Sequence, residues 1–297
     1  MKLSMPGYIK KIIVQMGMEN CATAHTPASH TTVLMPRTPE EAAPDYPYLS
    51  AIGRLLWLAL TVRPELAYIV GALARHTQSF TNAHITAIKR VLRYLAGTPE
   101  VGIHYKTYEN DDMEIRYSDS SYRNKEEGRK SISGYAFMYC GAAVAWSSKS
   151  QPVVAASTQE AEYIALTHAT KHAMWMRQFL LELGLPTSVP TPILTDNQAA
   201  LSLATSTGTT VNAKHIDIRY HFIRHAYNEG TIDVSYVQSR DNLADLFTKP
   251  LPLPQFVYLA DSVLGSHRNP EIDFPPSPTD DSSSYIPEDV DELMDDV

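Results

Sequence analysis

The apolar positions of this chain change period near residue 112, and that change limits what it can fold into. Before it, apolar residues recur at helical spacing: Ile85, Ile88, Val91, Leu92 and Leu95 form one stripe, with Lys89, Arg90 and Arg93 elsewhere. After it, Met113, Ile115, Tyr117 and Asp119 alternate with Glu114, Arg116 and Ser118, the period of a half-buried strand. A helical segment therefore precedes a region that mixes strands and helices.

The helical part spans 48–105. One apolar-rich helix runs over 49–59, and Pro64 opens a second that reaches His76, since proline suits a first helical turn. Asn82 is a candidate cap for a third, and Gly97 stops it. Residues 1–47 read as irregular, with one short helix over 8–18 and a proline-punctuated linker over 21–47.

Region 112–264 begins with the strand at 113–119. Strands over 131–140 and 142–148 follow, joined at Gly141. A long helix over 158–183 stops at Gly184. Then come a strand at 192–195, a helix capped by Asn197, a helix over 214–229, a strand at 232–237 and a last helix over 242–248. This order predicts an α/β fold, a mixed five-stranded sheet with helices on its faces. Residues 265–297 form an acidic tail rich in proline and serine, a composition that does not build a core.

No apolar run approaches the length of a membrane span, and no apolar stretch follows Met1–Pro6 as in a secretory leader, so no membrane partner and an intracellular setting are expected. Two cysteines, Cys21 and Cys140, exclude a disulfide framework. The net charge of −8 misleads, because 266–297 holds ten acids and one base, leaving the body at +1. A near-neutral body with local basic clusters is compatible with nucleic acid.

Four acids carry the chemistry: Asp119, Glu162, Asp196 and Asp245, separated by 43, 34 and 49 residues. Asp119 ends a strand in phase with its buried face. Glu162 is in register with Ala165, Ala169, Ala173, Met176 and Leu180, whereas Glu160 follows Ile164, Thr167, Lys171 and Gln178; the small apolar row is the one that packs. Asp196 lies at the carboxyl end of a strand, where α/β folds gather ligands. Asp245 sits one turn into its helix, and Asp241 is its competitor as a cap. Singly, each has an ordinary reading as a turn former, cap or surface acid. Four carboxylates meeting at one point raise one another's pKa unless cations neutralise them, and paired divalent metals are how many nucleases cleave phosphodiesters.

Several linked motifs point the same way. Tyr48-Leu49-Ser50-Ala51-Ile52-Gly53, Thr61-Val62-Arg63-Pro64-Glu65-Leu66-Ala67-Tyr68 and Lys89-Arg90-Val91-Leu92-Arg93-Tyr94-Leu95-Ala96-Gly97-Thr98 occupy the first part. Tyr117-Ser118-Asp119, Arg129-Lys130-Ser131-Ile132-Ser133-Gly134-Tyr135, Ala145-Trp146-Ser147-Ser148-Lys149-Ser150-Gln151 and Ser157-Thr158-Gln159-Glu160-Ala161-Glu162-Tyr163 follow. Thr195-Asp196-Asn197-Gln198-Ala199-Ala200, Lys214-His215-Ile216-Asp217-Ile218-Arg219-Tyr220-His221 and Ala244-Asp245-Leu246-Phe247-Thr248-Lys249 complete the set. With these motifs, residues 49–264 resemble the carboxyl-terminal part of the polymerase polyprotein of copia-type LTR retrotransposons.

The resemblance implies a ribonuclease H-like domain at 112–264 that hydrolyses the RNA strand of an RNA–DNA hybrid with two Mg²⁺ ions, Mn²⁺ substituting. It implies Asp119, Glu162, Asp196 and Asp245 as catalytic metal ligands. It makes residues 1–105 the last piece of a reverse transcriptase, 48–105 being thumb- or connection-like. The partners it implies are the hybrid and the rest of a retrotransposon polymerase, in a cytoplasmic virus-like particle or the nucleus. Two departures stand out. No Tyr-x-Asp-Asp polymerase site is present, so no DNA synthesis is expected, and Ser120-Ser121-Tyr122 replaces the family's usual Ala-Asp-Trp.

The alternative to a nuclease is a non-catalytic, nucleic-acid-binding remnant of a degenerate element. A transposase or integrase nuclease ranks last, because the second acid here is Glu. His221 and His225 share a helix face but lack further zinc ligands. Lys149, Lys214, Arg219, Lys249 and the Arg129-Lys130 pair are candidate phosphate contacts, each equally well read as a solvated charge.

Overall fold

The computed structural model describes residues 1–29, 33–106, 118–121, 130–155, 157–185, 188–205 and 214–266; for 118–121, 203, 214–218 and 220 only the backbone is described. The expected strand at 113–117, Arg129, the side chains of Lys214 and His215, and the tail from 267 lie outside that description.

Strand β1 (Lys2–Leu3) pairs antiparallel with β2 (Ile103–His104). Helix α1 (Pro6–Gln15) starts on a proline and buries Ile9, Ile12 and Ile13. Helix α2 (Tyr48–Thr61) buries Tyr48, Ala51, Ile52, Leu55, Leu58 and Ala59, the spacing of a one-faced helix. Pro64–Leu66 is a 3-10 turn leading into α3 (Ala67–Ala74), shorter than the expected helix to His76. Helix α4 (Asn82–Gly97) is capped by Thr81 rather than Asn82: the Thr81 backbone N–H donates to His84 Nδ1 at 3.1 Å, and His84 is fully buried. An imidazole can replace the usual acidic residue of a capping box because its ring nitrogen accepts.

Arg63 holds this region together from inside. Its guanidinium is fully buried, donates from Nε to Glu65 Oε1 at 2.6 Å, and reaches the Thr98 carbonyl and hydroxyl at 3.0 and 2.8 Å. It also lies 5.3 Å from the centre of the Tyr94 ring. A charge buried this deeply is tolerated only when paired and hydrogen-bonded, and both conditions are met here.

Beyond residue 118, β3 (Ser118–Ser121), β4 (Ile132–Tyr139) and β5 (Ala142–Ser150) form an antiparallel sheet. The β4–β5 hairpin turns through Cys140 (φ 51°) and Gly141 (φ 77°), the two positive φ values of a tight hairpin loop. Helix α5 (Thr158–Glu182) starts where the Ser157 hydroxyl accepts the Glu160 N–H at 3.1 Å. Strand β6 (Thr191–Thr195), α6 (Gln198–Thr205), α7 (Lys214–Asn228) and β7 (Ile232–Tyr236) follow, with β6 and β7 parallel. A 3-10 turn, Leu243–Phe247, stands where a helix over 242–248 was expected, and another, Ser239–Asp241, precedes it. A further helix, α8 (Leu253–Leu264), was not among the expected elements; Pro250 and Pro252 precede it and Pro254 lies in its tolerant first turn.

This is the ribonuclease H-like mixed α/β order that the resemblance implies. The described strands make three small sheets, β1–β2, β3–β4–β5 and β6–β7, so a continuous five-stranded sheet is not present among them. One apolar core unites α1–α4 with Leu243, Leu246, Phe247, Phe256, Val257, Leu259 and Val263. Tyr94 meets Phe256 edge to face at 5.7 Å, and Trp146 Nε1 donates to the Ala59 carbonyl at 2.8 Å. A second core joins α5, α6, α7, β6 and β7 through Tyr163, Leu166, Ala169, Ile193, Ala200, Ile223 and Val234.

Burial, and secondarily the neighbouring His76, push the His84 pKa down to about 4 from 6.5. The folded chain therefore disfavours the proton that the unfolded chain accepts. This contribution is complete above pH 6.5 and is lost as pH falls toward 4, up to about 3 kcal/mol. Thermal unfolding at pH 7 and pH 5 is expected to show a larger drop for the native sequence than for His84→Gln; equal drops would exclude His84 as the source.

Candidate active site

Strand β3 is the common neighbour of all the elements that bear the four acids. Helix α5 packs across it, β6 lies beside it, and the 3-10 turn Leu243–Phe247 adjoins it. Asp119 is the second residue of β3 and is paired with Gly134 of β4; its side chain lies outside the described atoms. Gly134 is there for space. A Cβ at this position would stand 2.8 Å from Phe247 Cβ, 2.8 Å from Thr248 Cγ2 and 3.0 Å from the Ala244 carbonyl. Only a residue without a side chain lets the turn carrying Asp245 rest directly on the strand that pairs with Asp119.

Glu162 is buried (7% exposed) in the first turns of α5, while Glu160 is only partly covered. Glu162 is buried with Ala165 and Ala169 of its row, but Ile164 and Thr167 of the Glu160 row are buried as well, so the helix is covered on more than the one face expected. Gln151 fixes the start of this helix. It is buried at the end of β5, and its Nε2 donates to Ser133 Oγ at 2.8 Å and to the Ala161 carbonyl at 2.9 Å. The residue before Glu162 is thereby tied to β4.

Asp196 directly follows β6 and is half-buried. The turn around it is set by its neighbours: the Asn197 N–H donates to Thr195 Oγ1 at 3.3 Å, and Asn197 Oδ1 caps α6 by accepting from Ala200 at 3.0 Å. With Asn197 as the cap, Asp196 is not needed for that task.

Asp245 is buried, 4% exposed, in the turn Leu243–Phe247. Asn242, not Asp241, caps this turn through Oδ1, which accepts the Ala244 N–H at 3.2 Å. Asp241 instead accepts the Tyr258 hydroxyl at 2.9 Å and faces Arg240 at 3.3 Å. Asp245 Oδ1 lies 2.7 Å from Lys249 Nζ as an ion pair, yet it receives no hydrogen bond of normal alignment.

The structure thus puts Glu162 and Asp245 in buried positions on two elements flanking β3, and Asp196 half-buried at the end of a third. Among the described residues, no three His, Cys, Asp or Glu side chains stand close enough to cage a metal ion. In α5, His168 is held below the usual histidine range by burial and then by Lys171, Lys149 and Arg219. Lys149, Lys171 and Arg219, from β5, α5 and α7, therefore all lie near His168.

Gln151, Asn242, Gly134 and Lys171 were not singled out as contributors to the site from sequence. For Gln151 a signal existed, a polar residue closing a strand just before an N-cap. For Gly134 there was none, since its need for space comes from residues more than a hundred positions away.

The fold is of the ribonuclease H-like mixed α/β class. The chain belongs to the retrovirus-related Pol polyproteins of copia-type transposons. The polyprotein from transposon TNT 1-94 of Nicotiana tabacum is 34% identical over 273 residues, which is 90% of this chain and 20% of that protein. The chain spans about a fifth of the length of the first curated relatives it matches. A Plasmopara viticola protein named secreted RxLR effector protein 161 is 42% identical over 130 residues, 44% of this chain and 91% of that one. A crystal structure of LC11-RNase H1 in complex with RNA/DNA hybrid aligns at 16% identity and a TM-score of 0.35, covering 45% of this chain and 93% of that one. No protein-family model matches the chain. No described helix is long and apolar enough to cross a membrane.

Gly134→Ala is expected to lift the Asp245 turn off β4. Overpacking of this kind costs about 1–3 kcal/mol, readable as a lowered midpoint in urea. An unchanged midpoint would mean that the turn does not depend on that close approach.

Proposed function

We propose that this chain is a divalent-metal-dependent endonuclease that hydrolyses the RNA strand of an RNA–DNA hybrid. The observation that carries the proposal is the convergence of four acid-bearing elements on β3, with Glu162 and Asp245 buried. Buried carboxylates are costly unless a cation answers them. All four donors are carboxylates, the ligand type of hard divalent ions, and Asp245 Oδ1, though ion-paired with Lys249, lacks an aligned hydrogen-bond donor. The residues therefore fit Mg²⁺ or Mn²⁺, with Asp119, Glu162, Asp196 and Asp245 as the ligands. A pair of such ions, when bound, supplies an activated water at neutral pH and neutralises charge on the leaving oxygen.

The protein's own groups do the rest. Gln151 holds the start of α5 so that Glu162 stays inward. Asn242 and Gly134 hold Asp245 against the sheet. Lys149, Lys171 and Arg219 bind backbone phosphates and set the register of the duplex without reading its sequence. Contacts to 2′-hydroxyls select the RNA strand. The rest of a longer polymerase polyprotein is the proposed partner in the intact element.

A second reading, a non-catalytic hybrid-binding remnant, draws on one observation: Lys249 already neutralises Asp245. One assay separates the two. Purified chain with a labelled hybrid is expected to cleave RNA only with Mg²⁺ or Mn²⁺. Asp196→Asn and Glu162→Gln are expected to lower the rate by orders of magnitude, while Glu160→Gln is mild. Hybrid binding without cleavage under any of these metals would select the second reading.

A further inference from the structure

Lys249 is paired with one carboxylate and lines a cleft with a second. The first is Asp245, whose side chain is 6% exposed and whose Oδ1 is 2.7 Å from the ammonium; the Lys249 side chain itself is 45% exposed. The second is Glu65, which with Lys249, Leu246, Pro250 and Phe256 lines a narrow cleft. Glu65 uses Oε1 twice, toward Arg63 Nε at 2.6 Å and the Tyr94 hydroxyl at 3.3 Å. Its other oxygen, Oε2, is buried and has no hydrogen-bond partner. An unsatisfied buried carboxylate oxygen is destabilising, so this one is a seat waiting for a donor. The cleft has space for roughly one water-sized group, which is the size of an ammonium head.

We infer that Lys249 is a positioning residue with two seats: the Asp245 carboxylate when no divalent cation is bound, and Glu65 Oε2 when one is. The inference rests on the metal reading given above. A divalent ion at Asp245 would repel an ammonium that stands within hydrogen-bonding distance of the same carboxylate. Lysine has the means to leave, a flexible four-carbon stem ending in a compact charge with three donors. Glu65 offers the compensating charge and has one oxygen to spare. The helical segment before residue 105 thereby contributes a working group to the ribonuclease H-like site, since Glu65 belongs to the turn Pro64–Leu66.

The test is metal binding without substrate. The full chain is titrated calorimetrically with Mg²⁺ and with Mn²⁺ as the native sequence, Lys249→Met, Glu65→Gln and the double variant. Lys249→Met removes the competing charge and is expected to tighten binding about fivefold. Glu65→Gln removes the second seat and is expected to weaken it several-fold, but to change nothing once Lys249 is methionine. Thermal unfolding checks each variant. If Glu65→Gln fails to fold because Arg63 loses its partner, Glu65→Asp takes its place, keeping the charge while drawing the carboxylate back from the cleft. Native-sequence binding that Lys249→Met leaves unchanged overturns the exchange of seats and spares the metal reading. Equal weakening by the Glu65 variant in both backgrounds overturns it too. Absence of binding in all four chains overturns the metal reading itself, and the exchange with it.

Discussion

The contact on which the rest of this structure depends is the seating of the turn Leu243–Phe247 on β4 at Gly134. Everything that surrounds the carboxylates follows from that approach. It brings Asp245 beside the strand that carries Asp119, and it pushes Leu246 and Phe247 into the apolar core. Replacing backbone-to-backbone proximity with a side chain would move the turn by the width of a methyl group, and a buried carboxylate tolerates such displacement poorly. The apolar residues on either side of Asp245 are buried, so packing seats the turn while Lys249 pairs with its carboxylate.

The helical segment is not a passenger. Its core is continuous with the residues that flank Asp245 and with α8, and the buried Arg63–Glu65 pair links the turn after α2 to the end of α4 through Thr98. A buried ion pair of this kind is weak evidence for stability, because its desolvation offsets much of its attraction. It does fix geometry: the guanidinium's planar fork holds Thr98, Tyr94 and Glu65 in one arrangement. That arrangement leaves Glu65 Oε2 buried without a hydrogen-bond partner, and Glu65 lines one cleft with Lys249.

Regular elements were legible where the period was clear. The hairpin at Gly141, the long helix over 158–182 and the inward face of Glu162 all follow from spacing in short windows, because local periodicity is fixed by the backbone alone. Elements ruled by proline and by tight turns were less legible. The segment 242–248 reads as helix by composition yet folds as a 3-10 turn, since the chain must double back onto β4 within a few residues. Helix α8 was not among the expected elements, and its prolines stand before it or in its first turn. The cap of α4 passed to Thr81 because a histidine three residues on completes the box.

By itself the sequence determined the order Asp119, Glu162, Asp196, Asp245, the change from helical to mixed structure near residue 112, and the kinship with copia-type polyproteins. Those are one-dimensional properties: spacing, period and motif. Only the tertiary structure decided that Gly134 must lack a side chain, that Gln151 anchors the helix of Glu162, and that Lys249 shares a cleft with Glu65 while paired with Asp245. Each of these joins residues distant in the chain, except the Asp245–Lys249 pair itself. Which distant groups meet is set by how whole elements pack, and no local window contains that information.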